Sequence, residues 1–536
     1  MAEQDFQGPR SPESVVDLEQ VAFRAGRVLR ALGRPLRVTE PCVGLGGLRR
    51  LCELSHSEHC ESQAFDTEAS LISYYRGLAK HMGAGSLDKM KLGSDGDILN
   101  LSVETLQPSE VFAAGPPCGP WAATGARMGT SDSRSDVMDT CVAWIIFQAW
   151  QGQLVAFVLE NSRLLKGTQY LDEILSRLRF CVPFFRVEAQ VHNLRTIFPH
   201  DRERLWIRGM RRDCLGPEAS LPVPFTAKDL GGRVDMRTLI DSAVPPVDPA
   251  SLSHRMRCNL AAYITRIEED VLAGKAGTVA VVELDRSPLR DYGKQIVYDM
   301  IPPLRTAGPK LFLLLSEEVK NCLPWQRQRL HRFVTPEERF MFQGHSGLAC
   351  RMFDNKTAAL KAAGNAYHPL HLASMLCPML EQAYIYGALP EEPTRLSTQE
   401  LQELIPAVTP AALSDDPAEA EDFFNFFCQD DSEECESMIK KGNQASRALA
   451  ASCVDKKRSG SSSVHGAGPA SHGAGSHLKS EVKAEVKQEP KCNPVRPQQQ
   501  RCWPQGSLKR GCDVVNLASP LRRVRGKSVL YTDRND

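Results

Sequence analysis

The stretch Val111-Phe-Ala-Ala-Gly-Pro-Pro-Cys118-Gly-Pro-Trp121 constrains this chain more than any other. Its apolar run reads as a buried strand, and Gly115 with two prolines stops that strand abruptly. Cys118 therefore stands on a stiff loop at a strand's C-terminal end, where open α/β sheets place their ligands. A cysteine kept for packing would sit inside the apolar run. Pro-Cys turns also serve as plain connectors, so the loop points to chemistry only through the ordered company it keeps.

That company begins upstream. Val15 to Leu32 reads as one amphipathic helix, closed by Gly33 and Pro35. Leu36 to Leu48 then runs from an apolar strand through Glu40-Pro-Cys42-Val-Gly44-Leu-Gly46-Gly47 into a helix. Glycines in such a turn let a ligand approach the backbone, and the helix N-terminus behind them can receive it. Glu61 to Tyr75 reads as strand then helix, with Asp66 at the strand's end, where a carboxylate suits a ribose hydroxyl. Gly96-Asp97-Ile98 places another carboxylate at a turn. For each Asp, a solvated loop residue is the ordinary alternative.

Beyond Cys118, Thr124 to Asp136 reads as a flexible polar segment, and a helix follows around Met138 to Trp150. Leu154-Val-Ala-Phe-Val-Leu is a second buried strand, ending in Glu160-Asn161-Ser162. A carboxylate closing so apolar a run needs a partner, and a buried salt bridge competes with a catalytic role there. Arg202 and Arg204 alternate, so both fall on one face of a strand, a pattern shared with solvated edge strands.

From 211 to 330 the pattern turns irregular, with a helix near Met256 to Leu272 and a strand near Thr278 to Leu284, and reads as a second, smaller domain. Regular structure returns with Arg332 to Gly344, then Lys361-Ala-Ala-Gly364-Asn365-Ala-Tyr and a long apolar helix to about Tyr386. Past 390 the composition shifts. Residues 415–436 carry ten Asp or Glu and no Lys or Arg, around Phe423-Phe-Asn-Phe-Phe427. Residues 458–478 are rich in Gly, Ser, Ala and His and read as linker, and the last sixty carry 13 Lys or Arg against 6 Asp or Glu. The region 391–536 is expected to be disordered, acidic first and then basic.

Composition excludes some classes. A hydrophobic share of 42% and a charged share of 24% are those of a soluble globular protein, and no apolar run is long enough to span a bilayer. Formal net charge is zero, so any nucleic-acid-binding surface must be local. The 17 cysteines follow no framework spacing and the N-terminus has no apolar core of a leader, which points to a reducing intracellular compartment. Cys52, His56, His59 and Cys60 lie close together, but the first two fall on a predicted helix and the spacing is not that of a zinc site, so no metal is expected.

Taken in order, the segments resemble the DNA (cytosine-5) methyltransferase family over roughly residues 36–385. The resemblance rests on the glycine turn 40–47, Asp66, Gly96-Asp97-Ile98, Pro117-Cys118, Glu160-Asn161, Arg202-x-Arg204, Thr335/Glu337/Gln343-Gly344 and Gly364-Asn365-Ala366. It implies an α/β, Rossmann-like S-adenosylmethionine-dependent fold: an N-terminal helical extension (1–35), a catalytic domain (36–210 and 346–390) and a target-recognition domain (211–345). It implies S-adenosyl-L-methionine held by Cys42, Gly44, Gly46, Gly47, Asp66, Asp97, Ile98 and Asn365, and substrate contacts from Gln343 and Gly344. Cys118 would be the nucleophile on cytosine carbon 6, Glu160 the acid at ring nitrogen 3, and Arg202 and Arg204 the groups holding the ring carbonyl. A thiolate suits that attack because the ring's aromaticity must be broken before carbon 5 can accept a methyl group. A paired base cannot be attacked in the stack and would be flipped out.

The chain departs from the family's wording at Gly119 (usually Gln), Pro120-Trp121-Ala122 (Phe-Ser), Ser162 (Val), His200-Asp201-Arg202 (Gln-Arg-Arg) and Cys42 (an adenine-stacking Phe). DNA is the expected partner. RNA is less favoured because no Cys-Phe-Thr tripeptide of the tRNA-directed branch occurs between 211 and 330. A degenerate scaffold is a third reading, against which the retained Cys118, Glu160 and Arg204 count. In the tail, Val482-Lys483-Ala-Glu485 and Val486-Lys487-Gln-Glu489 resemble acceptor sites for a small ubiquitin-like modifier, and Val514-Val-Asn-Leu517 resembles a motif that binds it. With the basic run 521–527 these imply a nuclear protein, or a cytoplasmic one if the tail signals are not functional.

Overall fold

The runs read as buried strands lie side by side in one sheet because both of their faces are apolar. The computed structural model describes residues 16–406 except 58–60, 83–89, 123–126, 217–218, 289–295, 306–309, 316–331 and 391–394. His59, Cys60, the acidic segment, the linker, the two lysine motifs and the basic run all lie outside the described residues.

In chain order the large domain contains α1 (Leu18–Ala25), α2 (Arg27–Ala31), β1 (Arg37–Pro41), α3 (Gly47–Leu54), β2 (Glu61–Asp66) and α4 (Ser70–Met82). These are followed by β3 (Met90–Leu92), β4 (Val111–Ala114), α5 (Asp136–Trp150), β5 (Ala156–Ser162), α6 (Gln169–Cys181), β6 (Phe185–Asn193) and β7 (Glu203–Arg211). The sheet runs β3-β2-β1-β4-β5-β7-β6, parallel except for β7, which is antiparallel to both neighbours. This is the expected α/β class: a doubly wound sheet whose order reverses at β1, next to β4.

Side chains of β4 alternate between two cores. Val111 and Ala113 pack with α1–α3 on one face, and Phe112 and Ala114 with α5 and α6 on the other. Burial on both faces explains why the strand reads as a continuous apolar run. Phe112 and Phe157 are both fully buried, each worth roughly 2–3 kcal/mol of transfer free energy.

The smaller unit is built from α7 (His254–Leu272) on a four-stranded antiparallel sheet ordered β11-β10-β8-β9: β8 (Val279–Glu283), β9 (Ile296–Tyr298), β10 (Leu311–Leu315) and β11 (Arg332–Phe333). Its own core joins Leu252, Tyr263, Ile267, Val282 and Phe312. The chain then returns to the large domain through α8 (Pro336–Met341), α9 (Lys356–Asn365), α10 (Pro369–Ile385) and α11 (Thr398–Glu403).

Three expectations about organisation are corrected. The N-terminal helix is two helices that meet at Gly26, where the chain crosses the end of α3 and a Cβ would lie 2.3 Å from Ser55 Cβ. These helices are core rather than an extension, with Val21, Ala22 and Ala25 fully buried. Leu221, Phe225, Leu230 and Met236 share one core with α1–α3, as do Val279, Val281, Leu311 and Leu313 of the small sheet, and Phe340 packs with Tyr74 and Tyr75. Finally, the described part of 124–136 is not loose polar chain, since residues 129–131 and 133–135 form 3-10 turns, the second capped by Asp132.

Candidate active site

The parallel strands deliver their C-terminal ends to one edge, and most of the expected residues collect there. Gly115 to Gly119 leave β4, and Glu160, Asn161 and Ser162 close β5, the register pairing Ala114 with Leu159. Asn161 Nδ2 donates to the Pro116 carbonyl at 3.2 Å, which ties the cysteine loop to β5 two residues before Cys118. The loop's far side is held by Trp121, buried and stacked on Tyr170 at 5.1 Å between centroids. Cys118 itself is half-buried and free. Its carbonyl accepts from the Trp121 and Ala122 amides, a tight turn that fixes the backbone beneath the thiol.

Glu160 is buried, at 6% exposure. Its Oε1 accepts from Arg202 Nη2 at 3.1 Å and lies 2.9 Å from Arg204 Nε. Its Oε2 faces the other way, 3.8 Å from where a Cβ at Gly115 would sit. One carboxyl oxygen is thus fixed by two arginines while the other is turned to the cysteine loop. Arg202 is 2% exposed, and its Nε and Nη1 make no hydrogen bond. Burial, with the Arg204 charge, brings its guanidinium down to about 10, against the pull of Glu160 and Cys118. A buried cation with two idle donors is costly unless something else accepts from it. Its lowered value records that cost.

The glycine turn lies on the adjacent strand. Gly44 and Gly46 take left-handed φ values of 53° and 74°. A Cβ at Gly44 would meet no atom within 4 Å, so the backbone there is open to close approach. Tyr75 Oη donates to the Gly44 carbonyl and Asp66 Oδ2 accepts from the Gly44 amide, fixing the turn before α3 begins at Gly47. Burial raises the Asp66 carboxyl above its ordinary value despite amide bonds from Glu68 and Gly44. Cys42 also takes a left-handed φ, of 57°. Its thiol is held well above the usual value by a hydrogen bond with the Cys141 thiol and by burial, with Asp66 and Asp97 adding to the effect. Cys42, Asp66 and Asp97 therefore share one neighbourhood. Asp97 caps a 3-10 turn by accepting from the Leu99 amide and Asn100 Nδ2, while Ile98 is buried under it in the α5 core. Asn365 is exposed at the end of α9.

Two expected residues are placed elsewhere. Gln343 is fully buried, and its Nε2 donates to the Ala363 carbonyl at 2.6 Å, one of the carbonyls left open in the last turn of α9. The Gly344 carbonyl accepts from Arg50 Nε, and a Cβ there would lie 2.9 Å from His368 Cε1. Both are packed among α3, α9 and α10. Sequence reasoning missed Glu40 and Tyr367. Glu40 is 1% exposed and accepts from Ser62 Oγ and Tyr367 Oη. Burial pushes its carboxyl up. The only signal was a carboxylate just before the glycine turn. Among the described residues no three His, Cys, Asp or Glu side chains are grouped to hold a metal ion, and no helix is long and apolar enough to cross a membrane.

Residues 45–237 match the family model described as C-5 cytosine-specific DNA methylase. Among solved structures, the chain is similar to the Entamoeba histolytica methyltransferase EhMeth, at 13% identity over 65% of this chain and 98% of that one, with a TM-score of 0.41. It is also similar to a mutant of DNMT2 from Spodoptera frugiperda (15% identity, 64% and 99% covered, TM-score 0.40) and to the Dnmt2 methyltransferase of S. pombe (12%, 65% and 99%, 0.40). No curated protein matches the chain.

Proposed function

We propose, from the premise that residues 45–237 form a C-5 cytosine-specific DNA methylase domain, that this chain methylates carbon 5 of cytosine in DNA through a transient bond to Cys118. The observation that carries this reading is the joint between the cysteine loop and β5. Asn161 holds Pro116, while Glu160 offers both arginines one oxygen and the loop the other.

Each group has a task its placement suits. The Cys118 sulfur adds to carbon 6, and the electron pair displaced from the ring makes carbon 5 nucleophilic. The Glu160 oxygen turned toward Gly115 is positioned for ring nitrogen 3, where a proton absorbs the developing charge. Arg202, with two donors free, and Arg204 stabilise the ring carbonyl. Loss of the carbon 5 proton to a base then expels the thiolate and restores the aromatic ring.

S-adenosyl-L-methionine would supply the methyl group as a sulfonium. The open backbone at Gly44, the turn through Gly46 and Gly47, and the Asp66 carboxylate suit its amino-acid and ribose parts, with Cys42, Asp97 and Ile98 toward the base and Asn365 at the rim. Nuclear DNA as the working partner, and tail modification at Lys483 and Lys487, belong to the same proposal. The test is methyl transfer from labelled cofactor to DNA and to tRNA in parallel, with bisulfite mapping of the product. Labelled 5-methylcytosine in DNA is expected. Product in RNA alone would move the substrate, and none in either would leave a scaffold.

A further inference from the structure

Tyr367 lies between the two turns that the proposed reaction must bring together. It follows α9 by two residues and is 5% exposed. A Cβ at Gly47 would lie 2.2 Å from its Cε2 and 2.6 Å from its Cδ2. A Cβ at Gly115 would lie 3.0 Å from its Cδ1 and 3.7 Å from its Cε1. One edge of the ring therefore rests on the start of α3, directly behind the glycine turn. The opposite edge rests on the first residue of the cysteine loop. Its hydroxyl donates to Glu40 Oε1 at 2.8 Å. The same carboxylate accepts from Ser62 Oγ and from the Leu48 amide, so the ring is fixed to β1, β2 and the α3 N-terminus together.

The two glycines now have a shared reason. A Cβ at Gly47 would overlap the ring outright, and one at Gly115 would press tightly on its other edge. A ring held on both edges acts as a spacer, because aromatic side chains are rigid and close-packed interiors transmit displacement rather than absorb it. Gly115 is also the residue that Glu160 Oε2 faces, and Pro116 is the one Asn161 holds. Because β5 holds the loop through these contacts, losing the ring would change the spacing between loop and glycine turn while nucleophile and acid stay registered to each other.

We infer that Tyr367 is a positioning residue that sets the separation between the glycine turn and the cysteine loop, and so aligns the methyl donor with the carbon that receives it. This rests on the methyltransferase reading above. Such a residue contributes to the transfer step without being needed for either half alone. A shift of about 1 Å between two otherwise intact halves can lower a rate by about 100-fold.

The test uses the full chain and three readouts. Calorimetry with S-adenosylhomocysteine reports the glycine turn. Exchange of the cytosine carbon 5 hydrogen with solvent, without methyl donor, reports attack by Cys118. Labelled methyl transfer at saturating cofactor reports their alignment. For Tyr367→Leu, affinity and exchange should stay within about fivefold of the parent while transfer falls by about 100-fold. Tyr367→Phe keeps the spacer and should restore transfer to within a few fold. If Tyr367→Leu does not fold, Tyr367→Met, which keeps an apolar side chain but not the flat ring, takes its place with the same expectation.

Equal loss in all three readouts, or transfer at the parent's rate, overturns the inference. A parent that binds S-adenosylhomocysteine but shows neither exchange nor transfer overturns the methyltransferase reading, and this inference with it. A parent competent in all three, beside a Tyr367→Leu variant equally competent, overturns only the role of Tyr367.

Discussion

Acidification should unfold this protein unusually early, because five histidines are held neutral inside it. His200, His345, His368 and His371 are buried, and His192 is largely so. His371 Nε2 meets both His192 Nδ1 at 3.0 Å and Trp206 Nε1 at 3.1 Å; His368 Nδ1 accepts from the Leu370 amide to cap α10; His200 Nδ1 lies 3.1 Å from the Phe342 carbonyl. Burial is the first cause of every shift, and the Arg202 and Arg204 charges add to it at His200 and His371. His192 falls from 6.5 to about 4 and His345 to about 3, and the other three lie well below 6.5.

Because the folded values are depressed, the unfolded chain binds more protons below 6.5. The stabilisation is complete above that pH and is lost as pH falls toward the folded values. Each imidazole contributes a slope of up to about 1.4 kcal/mol per pH unit, so five give at most about 7. Glu40 and Asp66, whose carboxyls are raised, oppose this at the lower end. A net slope of roughly 4–6 kcal/mol per pH unit below about pH 6 would exhaust a typical stability of about 5–15 kcal/mol within about two to three units. Urea unfolding followed by tryptophan fluorescence, from about pH 8 down to about pH 5, measures it, and His345→Gln should flatten the slope by about 1.4 kcal/mol per unit. An unfolding free energy that stays constant from about pH 7 to about pH 5.5 would refute the reasoning.

Glu160→Gln should lower the rate of methyl transfer by about 100-fold or more and destabilise the fold by about 2–4 kcal/mol, since Arg202 stays buried without its counter-charge; transfer assays and urea melts check both. Asn161→Ala releases Pro116, so cytosine hydrogen exchange should slow by about 10- to 100-fold, and a change below twofold would count against the joint between loop and strand. In Gly96→Ala the new Cβ would fall 2.3 Å from the Lys91 carbonyl oxygen and 2.4 Å from that of Asp66, backbone atoms that cannot swing away. A loss of about 2–3 kcal/mol is expected in urea melts, with weaker cofactor binding through Asp66.

The strands that carry Cys118 and Glu160 were legible because burial on both faces leaves an uninterrupted apolar run, and a glycine or a carboxylate at its end is conspicuous. Asp66 was legible as the end of such a strand, and Arg204 through its alternation with Arg202 where β7 begins. Tyr367 was not, since its role comes from contacts to residues 47 and 115, which no spacing reveals. The histidines escaped for a similar reason: scattered from 192 to 371, they look like ordinary surface polar residues until folding buries them. The burial of Gln343 was not legible either, because a motif position says nothing of whether a side chain turns toward a ligand or onto a helix end.

The most direct test of the central claim is trapping. The purified full chain, incubated with S-adenosylmethionine and a 5-fluorocytosine oligonucleotide, should yield a denaturation-resistant adduct that mass spectrometry locates at Cys118. The adduct should vanish without cofactor and in Cys118→Ala. An adduct that survives the Cys118→Ala change, or methylated cytosine produced by that variant, would contradict the account.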